Sequence, residues 1–247
     1  MARGLIQSNP AIAVEAPRTK GGKPRAPWSR DALTLLFAGP VHAEGQRPVQ
    51  GRCEASYWLP LLALYTGARM EELGQLRGRD VVEVEYFVPN GGSGKAWAFD
   101  ISLGADGSNK LKTANSERVV PLHADLIELG FVELAKATPA DGLLFPELRP
   151  NADGRLTEKW GQWFSLYRRA CGINDRRIVF HGFRHTFKDM CREADISEGI
   201  QRQLMGHSGK DVADSYGQGF SVYALVQAMA KFRVPGLKLP PKPQRAA

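Results

Sequence analysis

His181-Gly182-Phe183-Arg184-His185-Thr186-Phe187 is the stretch on which the reading of this chain turns. The residue pattern predicts a helix over 183–194, with His181 and Arg184 three residues apart at its start and sharing one face. That face meets the electropositive helix end, where free backbone N–H groups favour anions. A histidine, an arginine with its planar fork of donors and a helix N-terminus together make a ready phosphate site. The plainer reading is a helix turn with solvated polar residues. His185 points elsewhere and is expected to pack or hydrogen-bond structurally.

Chemistry-bearing residues flank this stretch on both sides. Downstream comes Leu204-Met205-Gly206-His207-Ser208, with Tyr216 nine residues beyond His207. A tyrosine with its ordinary pKa of about 10 is a poor nucleophile at neutral pH. It becomes useful when cations stabilise the phenolate and the charge building on a phosphoryl group. Upstream, Lys110-Leu111-Lys112-Thr113 leads to Arg118-Val119-Val120-Pro121-Leu122. Lys112 rides the turn between two expected strands, from which an ammonium can protonate a departing alkoxide if neighbouring cations lower its pKa. Further upstream is Thr66-Gly67-Ala68-Arg69-Met70-Glu71-Glu72-Leu73. A helix ends at Gly67 and another begins, leaving Arg69 at the break, where its guanidinium can turn into a cleft. Glu72 lies on the same face and can hold it. Each residue alone also has a bland reading: a solvated arginine, a solubilising lysine, a loop histidine, a packing tyrosine.

The rest of the chain frames these segments. Residues 1–27 read as a basic linker rich in Pro and Gly, with Arg18, Lys20, Lys23 and Arg25 suited to a nucleic-acid backbone. Residues 28–234 form the folded domain, and 235–247 a flexible tail. Ser29 is placed to cap a helix through Phe37, and a loop follows Gly39-Pro40. An apolar helix is expected over 54–65. Strand-like runs at 81–88, 97–103 and 118–122, punctuated by Asn90-Gly91-Gly92 and Asp106-Gly107-Ser108, predict a small three-stranded antiparallel sheet. Helices are expected over 124–135, 158–170, 198–204 and 222–232. The fold class is α+β, mainly α-helical.

Composition narrows the possibilities without deciding them. The 247 residues carry a net charge of +7, a balance that suits a polyanionic partner. Cys53, Cys171 and Cys191 are an odd number at wide spacing, which fits reduced thiols better than a disulfide framework or zinc site. Nothing resembles a membrane span or a secretory signal. Gly91-Gly92-Ser93-Gly94-Lys95 fails the spacing of a phosphate-binding loop and sits between expected strands.

Taken in order, Arg–Glu, Lys, His-x-x-Arg, Gly-His and Tyr resemble the tyrosine recombinase, or phage integrase, family. Thr66-Gly-x-Arg69-x-x-Glu72-Leu73 matches its first box and His181-x-x-Arg184-His-Thr its second. Leu204-x-Gly-His207-Ser with Tyr216 matches the close of that box. Lys112-Thr113 ahead of Arg118-Val-Val-Pro-Leu resembles the hairpin carrying the family lysine. The similarity runs from about Ser29 to Lys231.

The resemblance implies a catalytic domain that breaks and rejoins DNA for site-specific recombination or integration of a mobile element. It makes Arg69, Arg184 and His207 the clamp on the scissile phosphate and Tyr216 the nucleophile, giving a 3′-phosphotyrosine and a free 5′-hydroxyl. Lys112 is then the general acid, His181 assists proton transfer and Glu72 orients the site. Lys20, Lys23, Arg25 and Lys110 would contact DNA. No metal, ATP or other cofactor is required. The expected partners are double-stranded DNA and further copies of the chain, a tetramer in synapsis, with no membrane. Its setting would be the cytoplasm of a bacterium, on nucleoid DNA. Family members usually carry an N-terminal DNA-gripping domain, so the resemblance suggests a fragment or a protein lacking it, weakly binding and monomeric when isolated. The terminal helix, with Val222, Tyr223, Leu225, Val226 and Met229, is expected to dock on a neighbouring subunit. A type IB topoisomerase, a catalytically dead DNA-binding protein and a nuclease are the competing readings. His181, where the topoisomerases tend to carry lysine, favours the recombinase.

Overall fold

A computed structural model describes residues 25–102, 117–207 and 219–239. Its centre is helix α3 (Glu54–Thr66), in which every residue from Ala55 to Thr66 is buried. A helix apolar all round must be enclosed on every side, and the other elements supply that enclosure. Before it come α1 (Arg30–Phe37) and α2 (Pro40–Ala43). Ser29 caps α1 as expected, its hydroxyl accepting from the Ala32 N–H at 3.2 Å. The one-turn α2 replaces the expected loop because Pro40 sits at its first position, where the missing N–H is harmless.

The three-stranded sheet is present, antiparallel and in the order β1 (Val81–Phe87), β2 (Ser93–Ile101), β3 (Arg118–Pro121). Strand β2 begins earlier than expected. Gly91 and Gly92, with φ of 97° and 90°, turn the chain so tightly that Ser93 already pairs with Phe87. Ser93-Gly94-Lys95 therefore lies within a strand, not between strands. The expected turn at 106–108 falls outside the described residues. The single helix expected over 124–135 is two, α5 (Ala124–Glu128) and α6 (Phe131–Ala137), parted by Gly130 at φ 94°. The later helices, α7 (Glu158–Ala170), α8 (Gly182–Glu193), α9 (Glu198–Met205) and α10 (Val222–Lys231), match expectation to within one residue at either end.

Helix α8 packs on α3 and carries Phe183 and Phe187 into the core, both fully buried. The segment ahead of α1 is strapped across its start. The Ala26 N–H donates to the Arg177 carbonyl, the Trp28 N–H to the Thr186 hydroxyl at 2.7 Å, and the Trp28 indole N–H to the Val179 carbonyl. The indole stacks on Phe183 at 4.5 Å. Helix α10 buries Leu225, Ala228 and Met229 against its own chain, on β1, β3 and α9. Of the five apolar residues expected to meet a neighbouring subunit, Leu225 and Met229 are thus buried within the chain, while Val222, Tyr223 and Val226 are half-buried. Phe232, just after α10, stacks on Phe187.

The cysteines are free thiols, and no described helix is long and apolar enough to cross a membrane.

Gly67 ends α3 at φ 60°, and a Cβ there would lie 2.7 Å from Phe187 Cδ1. Gly67→Ala is expected to destabilise the domain by at least about 1 kcal/mol, the usual cost of a side chain in the left-handed region. Chemical denaturation measures it, and a wild-type midpoint would contradict this account of the turn.

Candidate active site

Helix α4 (Met70–Gly74) starts three residues after Gly67, and Arg69 is its N-cap. Glu72 accepts from the Arg69 N–H at 3.0 Å, half of a capping box. The same carboxylate also receives the Arg69 guanidinium. Glu72 itself is buried, 3% exposed. Its second partner is Arg118 at the start of β3, whose Nη2 donates to Glu72 Oε2 at 2.8 Å. Burial works to raise the Glu72 carboxyl, but the charge and donors of Arg118 and Arg69 outweigh it and hold it below the ordinary value.

Arg184, on the first turn of α8, is 5% exposed. Its Nη1 donates to the Gly67 carbonyl at 2.5 Å, which is available because Gly67 ends α3 in the left-handed turn. Its Nη2 is buried and has no hydrogen-bond partner among the described residues. Burial lowers its pKa to about 10, helped by the positive charges of Arg69 and Arg118 and opposed by Glu72. The guanidinium therefore stays charged at neutral pH.

The two histidines lie in the same electropositive field. His207 follows Gly206, the left-handed C-cap of α9. Desolvation, then Arg184, Arg69, Lys188 and Arg118, lower its pKa to about 4. His181 caps α8, and desolvation, then Arg25, His185, Arg184 and Arg69, lower it to about 4. Both imidazoles are neutral at pH 7. His185 does not point away: its ring meets that of His181 edge-on at 5.3 Å.

The structure thus brings together Arg69, Glu72, His181, Arg184 and His207, with Arg25 near His181. Lys20, Lys23, Lys110, Lys112 and Tyr216 lie outside the described residues. The described ends on either side of the Tyr216 segment are fixed on α9. The chain leaves that helix at His207, and Phe220 is held to it, its N–H donating to Gln203 Oε1 at 2.7 Å and its carbonyl accepting from Gln203 Nε2.

The first N–H groups of α8 are not free for an anion, because a tight turn runs into the helix. Gly182, Phe183 and Arg184 donate to Val179, Phe180 and His181. The cationic character comes from side chains.

Two acidic and basic roles escaped the sequence reading. Arg118 is one. The other is Glu71, which fastens the start of α7 by accepting from the N–H groups of Leu156 and Thr157. An arginine heading an apolar strand was the available sign for the first; nothing local marked the second. Among the described residues no group of three His, Cys, Asp or Glu is placed to hold a metal ion.

These shifts set how stability responds to acid. Four of the five histidines are lowered from 6.5: His42 to about 3 and His123 by burial, His181 and His207 as above. Below pH 6.5 the unfolded chain binds protons that the folded one refuses, so stability falls as pH drops. Glu72 adds stability above pH 4.5 that is lost on further acidification. The thermal midpoint should fall between pH 6.5 and 4, less steeply in His42→Gln. Parallel slopes would contradict the burial assigned to His42.

No known family's sequence profile matches the chain, and no curated protein matches it. Solved structures do. The integrase from mycobacterium phage Brujita superposes with a TM-score of 0.52 at 18% identity, over 93% of this chain and 65% of that one. The Tn1549 transposon integrase bound to a circular intermediate DNA gives 0.48 at 17% identity, over 84% of this chain and 66% of that one. XerA recombinase gives 0.42 at 16%, over 86% and 65%. The chain spans just under two thirds of the length of these proteins. At such identity the likeness to the phage integrase concerns the fold, and the fold of this chain is the tyrosine recombinase catalytic fold, mainly helical with a small three-stranded antiparallel sheet.

Proposed function

We propose that this chain cleaves and rejoins double-stranded DNA through a 3′-phosphotyrosine on Tyr216, as a site-specific recombinase or integrase. The observation that carries the proposal is the charge arrangement at the head of α8. Two guanidiniums, Arg69 and Arg118, hydrogen-bond the buried carboxylate of Glu72, and a third, Arg184, lies close enough to feel its charge, with Nη2 lacking a partner among the described residues. That leaves two positive charges in excess of Glu72. A phosphodiester under attack develops two negative charges, and preorganised donors aimed at them lower the barrier.

In this reading Arg69 and Arg184 clamp the non-bridging oxygens, with Arg184 Nη2 given a partner by the substrate. His207, neutral at pH 7, donates a hydrogen bond to the same phosphate. Tyr216 attacks the phosphorus in line, forming the Tyr216 Oη–P bond as the P–O5′ bond breaks. Lys112 gives the departing oxygen its proton, and His181 assists removal of the phenol proton. The ester formed keeps the energy of the bond broken, so the 5′-hydroxyl of another strand can attack it and no ATP is consumed. Charge is balanced by guanidinium groups, so no metal takes part. Arg25, with Lys20, Lys23 and Lys110, adds backbone contacts, and copies of the chain assemble on the DNA.

A library of nicked duplexes with randomised central sequence tests the reading, because loss of the short cleaved strand traps the covalent complex. Wild type is expected to form a protein–DNA adduct in EDTA and without nucleotide. Tyr216→Phe should form none, and Arg184→Ala should form it about 100-fold more slowly, as for loss of one transition-state donor. An undiminished adduct with Tyr216→Phe, or none with wild type, refutes the enzyme. Adduct formation that needs a divalent metal refutes the metal-free balance of charge.

A further inference from the structure

Arg118 lies outside the clamp yet touches two of the elements that build it. Its guanidinium is buried, with a side chain 2% exposed. One edge of the planar fork is divided between two partners. Nη2 donates to Glu72 Oε2 at 2.8 Å, and Nε donates to the Leu204 carbonyl at 2.8 Å. Glu72 in turn holds both the backbone N–H and the guanidinium of Arg69. Leu204 lies in the last turn of α9, three residues before His207. Gly206 is packed directly on the Arg118 guanidinium: a Cβ there would come within 2.5 Å of Nη1. The glycine serves both the left-handed cap and this close approach.

Burying a guanidinium is expensive unless its donors are satisfied in good geometry. A stacked or solvated arginine at the head of a strand would satisfy the fold at less cost. We propose that Arg118 is a positioning residue for the reaction put forward above: it sets Arg69 through Glu72 and the His207 turn through Leu204 and Gly206. The role rests on that reading of the site. Because one planar group spans both partners, a change in the distance between α4 and the end of α9 must break one of these bonds. Arg69 and His207 are thereby held at a fixed separation, with β3 as the support. Lysine cannot reproduce this, having a single ammonium in place of a rigid fork.

Two variants and two readouts test it. In Arg118→Met the charge is gone and in Arg118→Lys it is kept without the fork. Adduct formation on nicked DNA is expected to slow by about 100-fold in Arg118→Met, the scale of an ångström-sized misplacement, with partial recovery in Arg118→Lys. The second readout needs no DNA. The Glu72 carboxyl, followed by carbon NMR in the free domain, should titrate at higher pH in Arg118→Met than in wild type, while Arg69 remains its other cationic neighbour. Arg118→Lys should keep a low midpoint. A folded Arg118→Met with wild-type cleavage and an unmoved Glu72 midpoint overturns the proposal. If Arg118→Met does not fold, a wild-type cleavage rate in Arg118→Lys overturns it instead. A wild-type protein that forms no adduct refutes the proposed reaction, while the Glu72 titration still decides whether Arg118 controls that carboxylate.

Discussion

The arrangement of this site depends on one carboxylate being buried among arginines. Glu72 is acceptable inside the protein because Arg118 and Arg69 meet it, and Glu72 and the Leu204 carbonyl in turn help make the buried Arg118 acceptable. An ion pair of this kind contributes little net stability, since desolvation offsets the attraction, but removing one partner leaves an uncompensated charge and costs about 3–5 kcal/mol. The pair therefore acts as a constraint. It fixes where α4 begins relative to β3 and where α9 ends relative to both. The left-handed turns at Gly67 and Gly206 are consequences of the same crowding: each brings a backbone atom against a buried guanidinium, Gly67 O on Arg184 and the Gly206 Cα on Arg118.

Much of this was legible in the chain because the signals were local. The Ser29 cap, the break at Gly67 and the span of α7 each follow from residues within a turn of where they act. The Arg69–Glu72 contact was legible for the same reason, being an i, i+3 pair. What escaped was non-local or depended on backbone sign. Gly130 reads as a tolerated residue inside an apolar helix until its φ of 94° divides α5 from α6. Arg118 meets Glu72 across 46 positions of sequence, and Glu71 reaches Leu156 across 85. No periodicity encodes such contacts. The expected anion site at the start of α8 failed for a related reason, because Val179, Phe180 and His181 supply carbonyls that a helix signal cannot foresee.

The composition of residues 1–27 suggested a linker, yet the described end of that segment is fastened to α8. Trp28 exchanges hydrogen bonds with Thr186 through both its N–H and its carbonyl, and stacks on Phe183. Gly182 has no room for a side chain because the Ala26 carbonyl would lie 2.6 Å from its Cβ. Arg25, next in line, is close enough to depress the basicity of His181. A pull on this strap would act on the helix turn that holds His181 and Arg184 before it reached the rest of the core.

The electrostatics of the site point the same way as its geometry. Burial depresses the basicity of Arg184, His181 and His207, and repulsion among the cations that packing keeps together depresses it further. An anion entering this cluster relieves that repulsion, so its binding should raise the proton affinity of both imidazoles. The imidazoles are then easier to protonate while a phosphate is present to accept a hydrogen bond, and harder to protonate once it leaves. Such a site answers to the charge of its ligand, and the buried Arg184 Nη2, without a partner among the described residues, is a donor with much to gain from one.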